Sequence, residues 1–191
     1  KDTRRSSYMF EYSLVGGLVA SGADAYLLHV TTTPSVSYVT RTDGFDCGVM
    51  ISASHNPFEH NGIKIFNGEG YKLSDELEEK IEAIVLDNAE ELLTPTGGEV
   101  GRVYTCDKAV DDYVRHLLGT VSVNLQGMHI AVDCANGSAS TTAKKLFRPI
   151  PGARQKGLFA RNAMQNISGI AVFFSSFISS INSVLFLTFN G

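Results

Sequence analysis

Apolar residues first recur at helical spacing, at Met9, Phe10, Leu14, Leu18 and Val19, and the run stops before Gly22, a natural C-terminal cap. Ala25–Val30 then reads as a short apolar strand. Pro34 opens a second predicted helix, since proline suits the first helical turn, with Val36 and Val39 turned inward. The run Gly48–Ile51 predicts another strand, followed by a polar loop, a strand over Ile63–Phe66 and a turn at Asn67-Gly68. Asp75 caps the next helix, Glu78 completes a capping box, and Leu77, Ile81, Ile84 and Val85 form its apolar stripe. Proline and glycine make Thr94–Gly101 a loop. A helix over Ala109–Leu118 follows, in which His116 sits beside apolar positions and reads as structural. After Gly127 the pattern restarts: strand His129–Val132, a Gly/Ser-rich turn Asp133–Ser140, and a helix over Thr141–Phe147.

Alternating helices and strands imply crossover connections. The expected class is α/β: a three-layer domain with a largely parallel mixed sheet over residues 1–120, then the start of a second similar domain over 121–147. A chain of 191 residues has room for one good core plus part of another.

Charge divides the chain. All 20 acidic residues precede position 148, as do 12 of the 16 basic ones, which leaves that stretch at −8 and the remainder at +4. So acidic a body is not expected to bind nucleic acid, because phosphate-backbone affinity needs basic clusters. Cys47, Cys106 and Cys134 are odd in number and widely spaced, which argues for a reduced, cytoplasmic setting rather than a disulfide framework or a thiolate metal site. No apolar signal segment opens the chain.

The candidate chemistry lies in the loop after the strand Gly48–Ile51. It reads Ile51-Ser52-Ala53-Ser54-His55-Asn56-Pro57 and continues to Asn61-Gly62-Ile63-Lys64. Pro57 lacks an N–H and biases Asn56 away from helix, so the strand stops here, and the crevice beyond strand ends is where open α/β sheets bind ligands. Three readings stand side by side. The loop is a polar turn with local side-chain bonds. Or it is a Ser-His hydrolase site, although neighbours on extended backbone point apart and no Gly-x-Ser-x-Gly elbow is present. Or it is a phosphorylated serine that hands its phosphoryl group to a sugar hydroxyl, with Lys64 supplying charge or a proton.

The loop resembles the phosphoserine loop of the α-D-phosphohexomutases. Three further segments are similar to that family: Lys1-Asp2-Thr3-Arg4-Arg5-Ser6, the stretch Thr33-Pro34 to Arg41-Thr42 ahead of the loop, and Ala131-Val132-Asp133-Cys134-Ala135-Asn136-Gly137 at the opening of a second domain. The wording around Ser52-Ala53 leans toward its bacterial amino-sugar branch. The resemblance covers about residues 1–147. It implies a phosphosugar mutase in which Ser54, His55 and Lys64 are catalytic and Arg4 and Asn56 bind substrate. Mg²⁺ would be held from this stretch only through the phosphate on Ser54. The implied activator is a hexosamine or glucose 1,6-bisphosphate, and the implied partner is a small-molecule sugar phosphate, with a homodimer for full-length members. Ser7 stands where the family has glycine.

Residues 148–191 carry no acidic residue and no family feature, and the family's metal, sugar and phosphate loops are not among them. A tail anchor over Ile170–Phe189, a folded helix and a reading-frame change at the gene end all account for the composition. We favour the last, which makes the tail aberrant and a membrane partner not expected. The alternatives to an amino-sugar mutase are then a catalytically inactive fragment that binds or associates, and a phosphomannomutase or phosphoglucomutase of the same family.

Overall fold

The structure is a computed structural model that describes residues 1–87, 94–122, 129–134, 136–149, 154–155 and 184–188. Along the chain run α1 (Ser7–Ala20), β1 (Ala25–Leu27), α2 (Thr33–Thr42), β2 (Cys47–Ile51), β3 (Ile63–Asn67), α3 (Asp75–Asp87), β4 (Val103–Thr105), α4 (Ala109–Gly119), β5 (His129–Asp133), α5 (Ser140–Phe147), β6 (Arg154–Gln155) and β7 (Val184–Thr188). The α/β class is as the pattern predicted. Sheet pairing is mixed: β1 with β4 and β5 with β6 are parallel, whereas β2 with β3 and β5 with β7 are antiparallel.

Helix α1 ends as its sequence demands. Gly22 adopts φ +89°, and the amides of Gly22 and Ala23 close back on the carbonyls of Val19 and Leu18. Helix α2 carries the packing: Val36 and Val39 are buried, as expected, and α2 lies on β2, where Gly48 leaves room for Val36 and Thr40. Burying each of those valines contributes about 1.5–3 kcal/mol. Helix α4 adds buried Ala109, Tyr113 and Val114, and its His116 stacks on Tyr38 of α2 at 4.5 Å between ring centroids. Lys145 of α5 pairs with Asp111 of α4 at the surface.

Helix α3 departs from expectation. It begins at Asp75, so Ser74 and not Asp75 holds the capping position, its carbonyl accepting from the Leu77 and Glu78 amides. Its apolar stripe is not buried: Leu77 and Val85 are exposed, and Ile81 and Ile84 only partly covered. Periodicity predicts an amphipathic helix correctly, yet burial needs a facing element, and α3 packs closely on none of the described ones.

Five residues of the stretch read as an aberrant tail form β7, which pairs with β5 along its whole length, from His129 opposite Thr188 to Asp133 opposite Val184. A short β-prone run suits an open strand edge irrespective of its origin. Most of Ile170–Phe189 lies outside the described residues. Among the described residues no helix is long and apolar enough to cross a membrane.

The first two residues lie between β1 and β2. The Lys1 ammonium donates to the His29 carbonyl at 2.9 Å, the Thr31 amide donates to the Lys1 carbonyl at 3.0 Å, and the Asp2 amide donates to the Ile51 carbonyl at 2.9 Å. Burial lowers the pKa of that ammonium from 8.0 to about 6, against the opposing pull of the Glu11 carboxylate.

Candidate functional site

Strand β2 ends at Ile51, and the loop to β3 is built from its own polar groups. The Ser52 amide donates to the Gly62 carbonyl at 2.8 Å, which closes the base of the loop. A side chain on Gly62 would press on the Ser52 carbonyl oxygen from 3.0 Å, so the close approach favours glycine. Ser52 is buried, and its Oγ accepts the Ser54 amide at 3.1 Å; the Asn56 amide reaches the Ala53 carbonyl at 3.1 Å. These bonds hold Ser54, the exposed residue at the tip, at φ +58°, a left-handed conformation that costs a non-glycine residue about 1–2 kcal/mol.

That backbone turn changes the relation of Ser54 to His55. Neighbouring side chains point apart on extended backbone, but at a left-handed residue the rule lapses, and Ser54 Oγ lies 3.5 Å from His55 Nδ1. The separation is at the outer limit of a hydrogen bond, too long for a formed nucleophile–base pair.

Arg4 braces the loop from beneath. Its guanidinium donates to the Ser54 carbonyl at 3.2 Å and the Asn56 carbonyl at 2.7 Å, and pairs with the Asp2 carboxylate, whose other oxygen accepts the Arg4 amide at 3.0 Å. So the structure sets Arg4, with most of its side chain buried, on the loop backbone rather than in the pocket lining. The serine at position 7 is buried and donates through its hydroxyl to the carbonyls of Asp2 and Arg4, which shapes the turn without glycine. Ser6 donates to Asn61 Oδ1 at 3.0 Å, a contact that ties the start of α1 to the far side of the same loop.

A cavity of about 250 Å³ opens beside the loop tip. It brings together Ser54, Ser52 and Lys64 with Thr32, Thr33 and Pro34 at the N-terminus of α2 and with Ser138 from the turn before α5. Lys64 stands on β3 opposite Met50. Neither His55 nor Asn56 lines the cavity; both lie on the exposed rim. The positive end of α2 and the Lys64 ammonium face one space, an arrangement that favours an anion there. Sequence reasoning missed the Thr32-Thr33 and Ser138 contributions, because no local motif joins three segments so distant in the chain. Ser138 is brought in by the turn Asn136-Gly137-Ser138, whose Asn136 carbonyl accepts the Thr3 hydroxyl.

The fit to a magnesium ion can be tested on these residues. The lining offers hydroxyls and one lysine but no carboxylate, and among the described residues no group of three or more His, Cys, Asp or Glu could hold a metal. Hard divalent cations need carboxylate oxygens, so the residues present do not by themselves fit Mg²⁺.

Together the fold and site define an α/β domain that presents one serine on a strained, braced loop at the mouth of a small cationic cavity. Residues 1–92 match the family model of phosphoglucomutase/phosphomannomutase, alpha/beta/alpha domain I. The chain is 55% identical over 147 residues to the phosphoglucosamine mutase of Lachnoclostridium phytofermentans, covering 77% of this chain and 33% of that protein. It is 49% identical over 149 residues to the one from Clostridium novyi, covering 78% of this chain and 33% of that protein. Over 168 residues it is 47% identical to that of Desulforamulus reducens, covering 88% of this chain and 38% of that protein. Through this domain the chain belongs to the phosphoglucomutase/phosphomannomutase family. It spans about a third of the length of these curated relatives. The last alignment is too long to stop at residue 147, so the similarity reaches beyond the roughly 1–147 over which the resemblance was expected.

Proposed function

We propose that this chain is the phosphoserine-bearing part of a mutase that interconverts glucosamine 6-phosphate and glucosamine 1-phosphate. The observation that carries the reading is the shared cavity: Ser54, Lys64 and the N-terminus of α2 enclose one anion-sized space. The amino-sugar assignment over glucose or mannose rests on the names of the relatives.

The phosphoryl group leaves Ser54 Oγ as the P–O bond breaks, and a new P–O bond forms to the free hydroxyl of a hexosamine monophosphate. The hydroxyl proton departs and Ser54 Oγ takes one up. The resulting bisphosphorylated sugar reorients, and its other phosphate returns to Ser54. Charge on the three equatorial oxygens is greatest in flight, so a fixed cation and a helix N-terminus stabilise that state more than the resting ester. Lys64 supplies the cation. Arg4 holds the carbonyls of Ser54 and Asn56 and so fixes the attack angle, while His55 and Asn56 on the rim orient the incoming phosphate.

That same lining supports a companion reading: residues 1–191 alone carry the phosphoryl group without completing the cycle. The test is a pair of measurements on the purified chain incubated with glucosamine 1,6-bisphosphate. Phosphopeptide mapping should find the phosphate on Ser54. A coupled assay on glucosamine 6-phosphate should read turnover only when the rest of the enzyme is supplied. Phosphate on Ser52, or none in a chain that retains native far-UV circular dichroism, would overturn the assignment.

A further inference from the structure

The cavity beside the serine loop holds a hydroxyl that neither the loop nor its neighbouring strands supply. Ser138, in the turn between β5 and α5, lines it together with Ser54 and Lys64. Of the other serines in the wall, Ser37 already donates to the Gly70 carbonyl at 2.6 Å, and Ser52 Oγ accepts the Ser54 amide at 3.1 Å. The Ser138 hydroxyl and the Lys64 ammonium have no protein partner among the described residues. The lining contains no carboxylate, so both donors are left for an acceptor that arrives from outside, and an oxyanion satisfies both.

Ser138 is fixed in place by its own surroundings. Its carbonyl accepts from the Thr141 amide at 3.3 Å and from the Thr141 hydroxyl at 2.9 Å. Just ahead of it the Gly137 amide donates to the Cys134 carbonyl at 2.8 Å, and just after it Ala139 is fully buried in a cluster with Cys134 and Ala143. With its backbone held on both sides, the residue has only its hydroxyl left to turn.

The turn is also tied to the serine loop. The Thr3 hydroxyl donates to the Asn136 carbonyl, while Arg4, the next residue, donates to the carbonyls of Ser54 and Asn56. Thr3 and Arg4 thus join two walls of the cavity, the Ser138 turn and the serine loop, to one short segment. A donor placed in advance pays little on binding and acts on developing charge without having to be gathered.

We propose that Ser138 is a phosphate ligand whose hydroxyl donates to a non-bridging oxygen of the phosphoryl group on Ser54, and that Thr3 is a positioning residue that acts through the Asn136 turn. The proposal rests on the phosphoserine reading above. In transfer the charge spreads over three equatorial oxygens, more acceptors than one ammonium can serve. Ser138 adds a neutral donor to the Lys64 cation and brings it from a segment remote from the loop in sequence.

Inorganic phosphate is the probe, titrated into the full chain while the amide resonances of Ser54 and Ser138 are followed, each variant first showing native far-UV circular dichroism. Ser138→Ala should weaken phosphate binding about tenfold, the cost of one hydrogen bond to a charged acceptor, whereas Ser138→Thr keeps the hydroxyl and should stay within about twofold of wild type. Thr3→Val should weaken binding about threefold and add nothing in the Ser138→Ala background, since it acts through that hydroxyl. Equal affinity in wild type and Ser138→Ala overturns the proposal. So do equal losses in the alanine and threonine variants, or a wild-type chain that binds no phosphate. The same proteins are then incubated with glucosamine 1,6-bisphosphate, and phosphate on Ser54 is followed over time by peptide mapping. Ser138→Ala should acquire it about tenfold more slowly. If both chains acquire it at one rate, the mutase reading stands and the role of Ser138 falls; if wild type acquires none, the mutase reading itself falls and takes this proposal with it.

Discussion

Gly70→Ala separates two costs that glycine avoids at this position, and the magnitude follows from its surroundings. Gly70 is buried at the turn after β3 with φ +80°, and a β-carbon there would lie 2.5 Å from the Ser37 carbonyl oxygen and 2.9 Å from Ser37 Oγ. The left-handed conformation costs alanine about 1–2 kcal/mol. Relieving the contact means displacing helix backbone and breaking the 2.6 Å bond from the Ser37 hydroxyl to the Gly70 carbonyl, an overpacking cost of about 1–3 kcal/mol. The expected loss is therefore about 2–5 kcal/mol. Two companions isolate the parts. Gly44→Ala has φ +73° with nothing within 4 Å of the added carbon and should lose only about 1–2 kcal/mol. Gly48→Ala has no left-handed backbone but meets Thr40 and Val36, and should lose about 1–3 kcal/mol. Urea denaturation followed by far-UV circular dichroism reads all three, and with a slope of about 2 kcal/mol per molar the Gly70 midpoint should fall by about 1–2.5 M. Equal midpoints for Gly70→Ala and Gly44→Ala would refute the steric part of the argument.

In a full-length enzyme carrying this segment, Ser54→Ala should abolish turnover and Ser52→Ala only weaken it, as read by coupled assay with phosphopeptide mapping. Arg4→Gln removes the brace from two loop carbonyls and should lower kcat about tenfold or more with little change in KM, since it positions the serine rather than the sugar; a change confined to KM would contradict that role. The amino terminus has a depressed folded pKa of about 6 against 8.0 unfolded, so the unfolded chain binds more protons between those values. Stability of the chain beginning at Lys1 should therefore rise by up to about 2 kcal/mol from pH 6 to pH 8 and then level. N-terminal acetylation should flatten that slope, as followed by urea midpoints. Burial raises the pKa values of the Cys47 and Cys106 thiols, aided by Asp46 at the first and Asp43 at the second, so both should alkylate more slowly at pH 8 than a free thiol.

The elements legible in the sequence were those with punctuation of their own. Gly22 ended α1 and Pro34 opened α2, each through a property of one residue. The serine loop was legible for the same reason, as a dense local motif. What escaped was long-range or conformational. β4 is three residues with no strong pattern, visible only as the partner of β1. The left-handed turn at Ser54, which draws His55 toward its hydroxyl, depends on bonds from Ser52 and Ala53 that no periodicity reports. The carbonyl partners of Arg4, 50 and 52 residues away, are equally invisible in the sequence.

The pairing of β1 with β4 also sets an order of events as the chain leaves a ribosome. Strands β2 and β3 are separated by a single loop and can zip as soon as Asn67 has emerged, with α2 already available to cover them. Tyr26 must wait for Tyr104, and the Val19 carbonyl for the Gly101 amide, so β1 has no ladder partner until β4 has been made. Closing so long a loop costs entropy before any contact rewards it. A nascent chain paused before residue 103 should therefore hold a protease-resistant β2–β3 hairpin beside an N-terminal stretch that proteases still cut, and the apolar face of α1 is then the surface most in need of a chaperone.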